Sequence, residues 1–275
     1  MDIAVPLTDM NLQPIGFVRS LVRERKSMPP LGVPAAIDVL PEYAAGLHRI
    51  GKHSHVWVLA WLHHAQRDVL QVTPRGVTDP GPGGLHGIFA VRSPVRPNPI
   101  GLTAARLVSV SGTRLEVDSL DFLDGTPVID LKPYFVSKDL ILAANNAQIG
   151  RPASTEAMRD SLIRQAVNFH GEWCGEVSLA VRILQHFRSE VLQLVEPEGW
   201  RIRVPLHRPC LIDAVMGITR ATPGRGSLLF HNEECMVFHY QGAIFRYQLL
   251  PVPGIEPDAI LRAADQALFE FGRVN

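Results

Sequence analysis

The chain has 275 residues, with 27 lysines and arginines balanced by 27 aspartates and glutamates. A 46% hydrophobic content supports a packed core in one large domain or two ordinary ones, which excludes a disordered or fibrous chain. The longest apolar run, residues 56–62, is far short of the ~20 residues a membrane helix needs, and the zero net charge lacks the basic excess typical of nucleic-acid domains.

The N-terminal stretch MDIAVPLTDM is acidic and has no charged-then-apolar signal pattern, so a cytoplasmic protein with no membrane segment is expected. The first half reads as short β-like runs separated by turns, at 12–20, 35–40, 54–62, 69–73, 87–93, 102–110 and 113–120. Their length, spacing and richness in Val, Ile, Leu, Phe and Trp predict an antiparallel barrel or sandwich. One helix should interrupt it from Pro41 to about Ile50, with proline in the first turn and Tyr43, Leu47 and Ile50 at helical spacing. The polar stretch NNAQIGRPAS, residues 145–154, marks a boundary, dividing the chain into domains at 1–145 and 154–275.

Beyond it, helices are expected at 155–168, 172–188, 209–219 and 257–271, with strands near 190–195, 200–205, 227–230 and 243–250. That order makes an α+β domain. Residues 1–145 carry 14 basic and 13 acidic side chains and the remainder 13 and 14, so neither half hides a large charge.

Three segments of the first half stand out. GIFAVRSPVRPNPIG, residues 87–101, reads as a strand that presents Arg92 and runs into a loop stiffened by Pro94, Pro97 and Pro99. Arg92, Arg96 and Asn98 are then held on a rigid frame, although a barrel corner with solvated arginines fits the spacing equally. LDFLDGTPVIDLKPY, residues 120–134, sets Asp121, Asp124 and Asp130 around an Asp-Gly turn, and acidic turns are usually structural. SHVWVLAWLHH, residues 54–64, is a strand with histidines at each end, a position where hydrogen-bonded structural histidines are common.

Together with PIGFVRS, these motifs resemble, in order and spacing over residues 12–140, the TsaA-like family. Its characterised members are S-adenosylmethionine-dependent tRNA methyltransferases acting on the N6 nitrogen of N6-threonylcarbamoyladenosine beside the anticodon. The resemblance implies a β-barrel methyltransferase domain in place of a Rossmann sheet, and no GxGxxG follows a strand here. By position, the family's cofactor site would use His63 and His64, Arg92, Leu102, and the turn Asp121, Phe122, Leu123, Asp124. The loop Pro29, Pro30, Leu31 should also contribute, although the family typically carries a polar residue there, often glutamine. The resemblance further implies a homodimer with the cofactor near the subunit interface. Asp130 and Tyr134 are candidates for proton removal or for the nucleotide side.

In the second half, FHGEWCG, residues 169–175, opens a helix with His170 and Cys174 at i and i+4, on one helical face. Cys210 follows in CLIDAV. One imidazole and two thiolates are three of the four ligands a zinc ion takes. Buried cysteines and a helix-capping histidine would give the same pattern. The motifs resemble the FmdE-like domain over residues 160–250, whose members carry a second histidine where this chain has Glu172. An odd cysteine count (Cys174, Cys210, Cys235) without CxxC spacing argues against a disulfide framework, and His231 and His239 read as structural or surface residues.

The leading expectation is a methyltransferase barrel joined to a metal-binding α+β domain, with S-adenosylmethionine as cofactor, zinc as candidate ion and tRNA as acceptor. Arg19, Arg23, Arg25, Lys26, Arg92, Arg96 and Arg106 could form a basic stripe for tRNA. Methylation of a small-molecule or metal-linked substrate, and a non-catalytic module that binds S-adenosylmethionine or a metal, are the alternatives.

Overall fold

The computed structural model describes residues 11–79, 81–195, 197, 199–251 and 256–274. The first ten residues, on which the expectation of no export signal rests, lie outside them. The chain divides into two compact units, one of Met1–Pro74 with Asp79–Ala143, the other of Arg75–Thr78 with Ala144–Asn275.

In the first unit, alternation builds a closed barrel. Strand β3 (His55–Trp61) buries every second side chain, with Val56, Val58 and Ala60 at 0% exposure, so its period of two points one face inward. Strands β1 (Gly16–Arg19) and β7 (Arg114–Leu120) alternate likewise, while β2 (Val33–Val39) buries three residues in a row and β6 (Ile100–Ser111) and β8 (Pro127–Pro133) bury Ala105 and Val128. A two-residue pair, β4 (Gln71–Val72) with β5 (His86–Gly87), stands apart. Barrel order is β1-β2-β7-β6-β3-β8, with every pairing antiparallel. Closure removes free edges. Val18, Ile37, Val56, Val58, Leu115, Leu120 and Val128, all fully buried, fill the interior.

Three expectations for this unit need correction. Residues 41–50 form 3-10 turns, Pro41–Leu47 and Ile50–Lys52, and not an α-helix. Gly46 and the left-handed Arg49 (φ 66°) break a segment that buries no residue fully and gains little from packing. Residues 87–93 are not one strand: after Gly87 comes a 3-10 turn, Ile88–Ala90, and Arg92 sits exposed in a turn. The prolines downstream withhold the donors that a ladder needs. Strand β8 lies within the acidic segment read as a turn, and α1 (Val136–Asp139) follows it.

The second unit packs helices on one sheet. Helix α2 (Thr155–His170) starts where Ser154 Oγ accepts from the Ala157 N–H at 3.1 Å, and ends at Gly171, whose φ of 98° suits only glycine comfortably. With α3 (Gly175–His186) and α4 (Pro209–Thr219) it covers a sheet ordered β10-β9-β11-β12-β13. The strands are β9 (Arg201–Pro205), β10 (Leu228–His231), β11 (Cys235–Tyr240), β12 (Ala243–Leu249) and β13 (Phe269–Val274). Phe187 stacks on Phe238 at 4.2 Å in a core shared by Leu162, Leu184 and Tyr247.

Here also the structure departs from expectation. Residues 190–195 are not a strand, because a π-turn (Phe187–Val191) extends α3 and Gln193 and Leu194 are left-handed. The expected helix at 257–271 is only α5 (Pro257–Arg262); its second half becomes β13, whose six residues pair with β12. Strand β11 was not expected. No helix among the described residues is long and apolar enough to cross a membrane.

Candidate functional site

Register brings the sequence-flagged segments of the barrel to one rim. Trp61 pairs with Ile100, and Val33 with Leu120, so the C-terminal ends of β3 and β7 and the N-terminal ends of β6 and β2 lie side by side. The loops that leave those ends carry His63 and His64, Leu102, Asp121 to Asp124, and Pro29 to Leu31.

Close packing locks these loops together. Gly32 has φ of 75° and turns the chain through a Gly32 N–H to Pro29 carbonyl bond of 3.0 Å. A Cβ on Gly32 would lie 2.5 Å from the Leu120 carbonyl, so glycine alone lets Pro29, Pro30 and Leu31 approach Asp121. Ser119 Oγ donates to the Leu31 carbonyl, fixing the same approach from the other side. At Gly101 a Cβ would stand 2.5 Å from Phe122 Cε1, so the buried Phe122 ring lies over the start of β6. Neither glycine was flagged in the sequence; Gly101 closes a flagged motif and Gly32 directly follows the flagged loop Pro29, Pro30, Leu31.

Polar groups line this rim. Thr103 Oγ1 donates to Asp121 Oδ1 at 2.5 Å. Asp124 accepts from the Ser20 N–H at 3.2 Å, while its other oxygen lies 3.6 Å from Arg23 Nε. Leu123 accepts from the Thr126 N–H, closing the turn whose Gly125 has φ of 76°. The His63 and His64 rings lie 3.8 Å apart, tilted at 47°, and burial, then the neighbouring His64, hold the His63 imidazole below its ordinary range. Leu31 and Leu102, 37% and 42% exposed, add apolar surface. The rim therefore carries carboxylates, imidazoles, carbonyls and aliphatic side chains.

The remaining predicted residues fall elsewhere. Tyr134 donates its N–H to the His55 carbonyl and packs on Trp57, at the opposite end of β3 from Trp61, ~20 Å away at the rise of a strand. Asp130 pairs with Leu59 and holds an ion pair to Lys132 at 2.6 Å. Arg92 is exposed in its turn, outside the barrel strands. Arg96 Nη2 donates to the Ile88 and Val91 carbonyls, both at 2.8 Å, and so shapes the loop.

Three of the seven cations of the proposed basic stripe, Arg19, Arg23 and Arg106, lie beside carboxylates. A groove of about 780 Å³ on the barrel wall contains Arg19, Arg23, Arg106 and Arg114. Arg19 lies 2.7 Å and Arg114 3.1 Å from Asp38, and Arg106 lies 3.9 Å from Asp118. Exposed pairs of this kind contribute little stability, yet they leave fewer cations for phosphate.

In the second unit, the expectation that His170 and Cys174 share one helical face needs correction. His170 ends α2 and Cys174 caps α3, with the glycine turn between. That turn folds Cys174 Sγ to 3.8 Å from His170 Nε2. Ligand atoms of His170, Cys174 and Cys210 all lie within 4.8 Å of one another. Tetrahedral zinc with ordinary bond lengths holds nitrogen and sulfur ligands about 3.5 Å apart, so only a small contraction is required. Asp213, three residues after Cys210 on α4, lies 3.1 Å from His170 Nδ1 and fixes Nε2 toward the thiols. Burial, then the adjacent Cys174, push the Cys210 thiol up; a cation between the sulfurs would reverse that. Glu176 Oε1 accepts from Arg208 at 2.7 Å, whereas its buried Oε2 has no partner among the described residues. Glu172 is exposed, 3.9 Å from His170 Nε2 and outside the three-atom cluster. These donors fit a divalent transition metal. Asp213 was missed, though its i+3 spacing from Cys210 could have revealed it.

The fold defines a class: a closed, non-Rossmann barrel with polar and aliphatic side chains on its rim loops, followed in the chain by an α+β unit with a His-Cys-Cys cluster. The family model for the tRNA-methyltransferase O N-terminal domain matches residues 17–140, and the chain belongs to that family. A second model, FmdE of the molybdenum formylmethanofuran dehydrogenase operon, matches residues 169–247. An "S-adenosyl-L-methionine-binding protein" of Archaeoglobus fulgidus is 42% identical over 136 residues, covering 48% of this chain and 94% of its own. A longer A. fulgidus protein, "Probable S-adenosyl-L-methionine-binding protein", is 34% identical over 241 residues, 80% of this chain. The match spans 61% of that relative's length. The solved TrmO of Pseudomonas aeruginosa aligns over 90% of this chain and 95% of its own at 22% identity and TM-score 0.43.

Proposed function

We propose that the barrel rim binds S-adenosylmethionine and that the chain is a methyltransferase acting on the N6 nitrogen of N6-threonylcarbamoyladenosine beside the anticodon of tRNA. The convergence of residues 29–32, 62–64, 100–103 and 120–124 on one rim carries this reading. It is supported by two relatives whose names record S-adenosylmethionine binding.

The cofactor has a ribose diol, an ammonium, a carboxylate and a sulfonium. Asp121 and Asp124 are suited to the hydroxyls, the ammonium or the sulfonium, and Leu31 and Leu102 to the faces of the adenine, while Arg92, on a loop bonded to the residue 62–66 segment through Pro99 and Arg96, is suited to the carboxylate. In the transfer, the acceptor nitrogen attacks the methyl carbon in line, the carbon–sulfur bond breaks, and its electron pair stays on sulfur. The nitrogen then loses its proton to a base. Tyr134 is remote from the rim of its own protomer, so a part for it requires a second copy of the chain. A homodimer is proposed accordingly, and the exposure of Leu21 (96%) and Phe89 (84%) on unit 1 loops supports it.

The second unit is proposed to hold zinc through His170, Cys174 and Cys210, which when bound would supply a Lewis acid with an open position. The three free cysteines suit a reducing, cytoplasmic location. Calorimetry with S-adenosylhomocysteine tests the cofactor assignment: binding by the wild type, lost in Asp121→Asn and Arg92→Ala, is expected. Absence of binding to wild-type protein would sink the reading.

A further inference from the structure

The turn between β10 and β11 holds a second cluster that neither the barrel rim nor the His170 site uses. His231, Glu233 and Cys235 each bring one ligand atom within 4.8 Å of the other two. Strands β10 and β11 flank β9, so the turn crosses the end of β9 and is tied down there. The Leu206 N–H donates to the His231 carbonyl at 2.8 Å, and the Leu249 N–H and Gln248 Nε2 both donate to the Glu234 carbonyl at 2.8 Å. His207 and Arg208 bind the Glu234 carboxylate. The three side chains therefore project from a braced segment, which is what a preorganised site requires.

Their chemistry is unspent. His231 Nε2 is buried without a hydrogen-bond partner among the described residues. Leaving such a nitrogen unpaired costs roughly 1–3 kcal/mol, and native structures rarely tolerate it without a reason. Cys235 is fully buried, and its Sγ lies 3.8 Å from Glu233 Oε2. Arg246 lies 3.0 Å from that same oxygen. An imidazole nitrogen, a thiol and a carboxylate oxygen suit a borderline-soft divalent cation and do not suit calcium or magnesium.

We propose that His231 Nε2, Cys235 Sγ and the Glu233 carboxylate form a second metal site, separate from His170, Cys174 and Cys210, that takes zinc or a similar ion. On binding, the Cys235 thiol proton leaves to solvent and the thiolate bonds the metal, while Arg246 keeps its carboxylate oxygen and offsets the added negative charge. The ion clips β10 to β11 across the end of β9, and a water completes its coordination. This inference does not rest on the methyltransferase reading.

Cobalt(II) serves as the probe, because a thiolate ligand gives it a charge-transfer absorption. The full chain, freed of metal by a chelator, is titrated with cobalt in the wild type, Cys210→Ser, and Cys210→Ser with His231→Gln. The proposal expects Cys210→Ser to retain one equivalent with thiolate absorption, and His231→Gln in that background to weaken binding at least tenfold. Glu233→Gln, at an exposed carboxylate, should weaken it as well and serves if the histidine variant misfolds. A folded Cys210→Ser protein that binds no cobalt, or binding indifferent to both His231→Gln and Glu233→Gln, would overturn it.

Discussion

Replacing Gly32 by alanine tests how the rim is assembled. The residue has φ of 75°, and a Cβ there would lie 2.5 Å from Leu120 C and O and 2.8 Å from Asp121 N, all backbone atoms that cannot swing aside. Left-handed backbone costs a non-glycine residue roughly 1–2 kcal/mol, and forcing the backbone apart adds about 1–3 kcal/mol. Gly112, in the β6–β7 turn, provides the control: its φ is 61°, but a Cβ there meets nothing within 4 Å. Gly112→Ala should therefore incur the conformational cost alone. The gap of about 2 kcal/mol corresponds to about a 30-fold change in an opening constant. Amide hydrogen exchange of β2 and β7 peptides reads barrel opening without interference from the second unit. Equal acceleration by the two substitutions would refute the argument that close approach at Leu120 holds the rim together.

Other outcomes follow from the same geometry. Asp213→Ala should weaken zinc binding 10- to 100-fold, since it removes the acceptor that orients His170, and a competition assay with a chromogenic chelator measures it. Leu115→Ala, at 0% exposure in the barrel interior, should cost roughly 3 kcal/mol in urea unfolding. Burial, the largest influence, holds His186 below its usual range of 6.5, and its Nδ1 lies 2.9 Å from the Tyr247 hydroxyl. The unfolded chain thus takes up that proton first as pH falls, so stability of the second unit should be full above 6.5 and decline from there down to the lowered folded value. His186→Gln should flatten that decline; an unchanged slope in urea midpoints between pH 5 and 7.5 would assign it to other groups.

The barrel was readable where one face alternates. Val56, Val58 and Ala60 announce an inward face, and the expected run at 54–62 contains β3. Strand β8 was obscured because Asp130 and Lys132 face outward as an ion pair, so the segment reads as polar although Val128 is fully buried. At the C-terminus, residues 257–271 satisfy helical spacing, yet β12 offers an unpaired edge and Phe269 to Val274 complete it; tertiary pairing outweighs local propensity. The site divides in the same way. Cofactor loops were traceable through motif resemblance, because the Asp-Gly turn and the proline-rich loop are local features. Asp213 meets His170 across 43 positions of sequence, and His231 gains significance only through its buried, unpartnered nitrogen. Such contacts exist only after helices and strands have packed. The basic stripe shows the converse: plain in sequence, three of its seven cations meet Asp38, Asp118 and Asp124 once the barrel closes.

Incubating the purified full chain with methyl-labelled S-adenosylmethionine and total tRNA tests the central claim most directly. The account predicts label in the tRNA fraction, recovered after nuclease digestion as methylated N6-threonylcarbamoyladenosine and lost in Asp121→Asn. Label confined to a small-molecule fraction, or cofactor binding with no transfer to any acceptor, would contradict it.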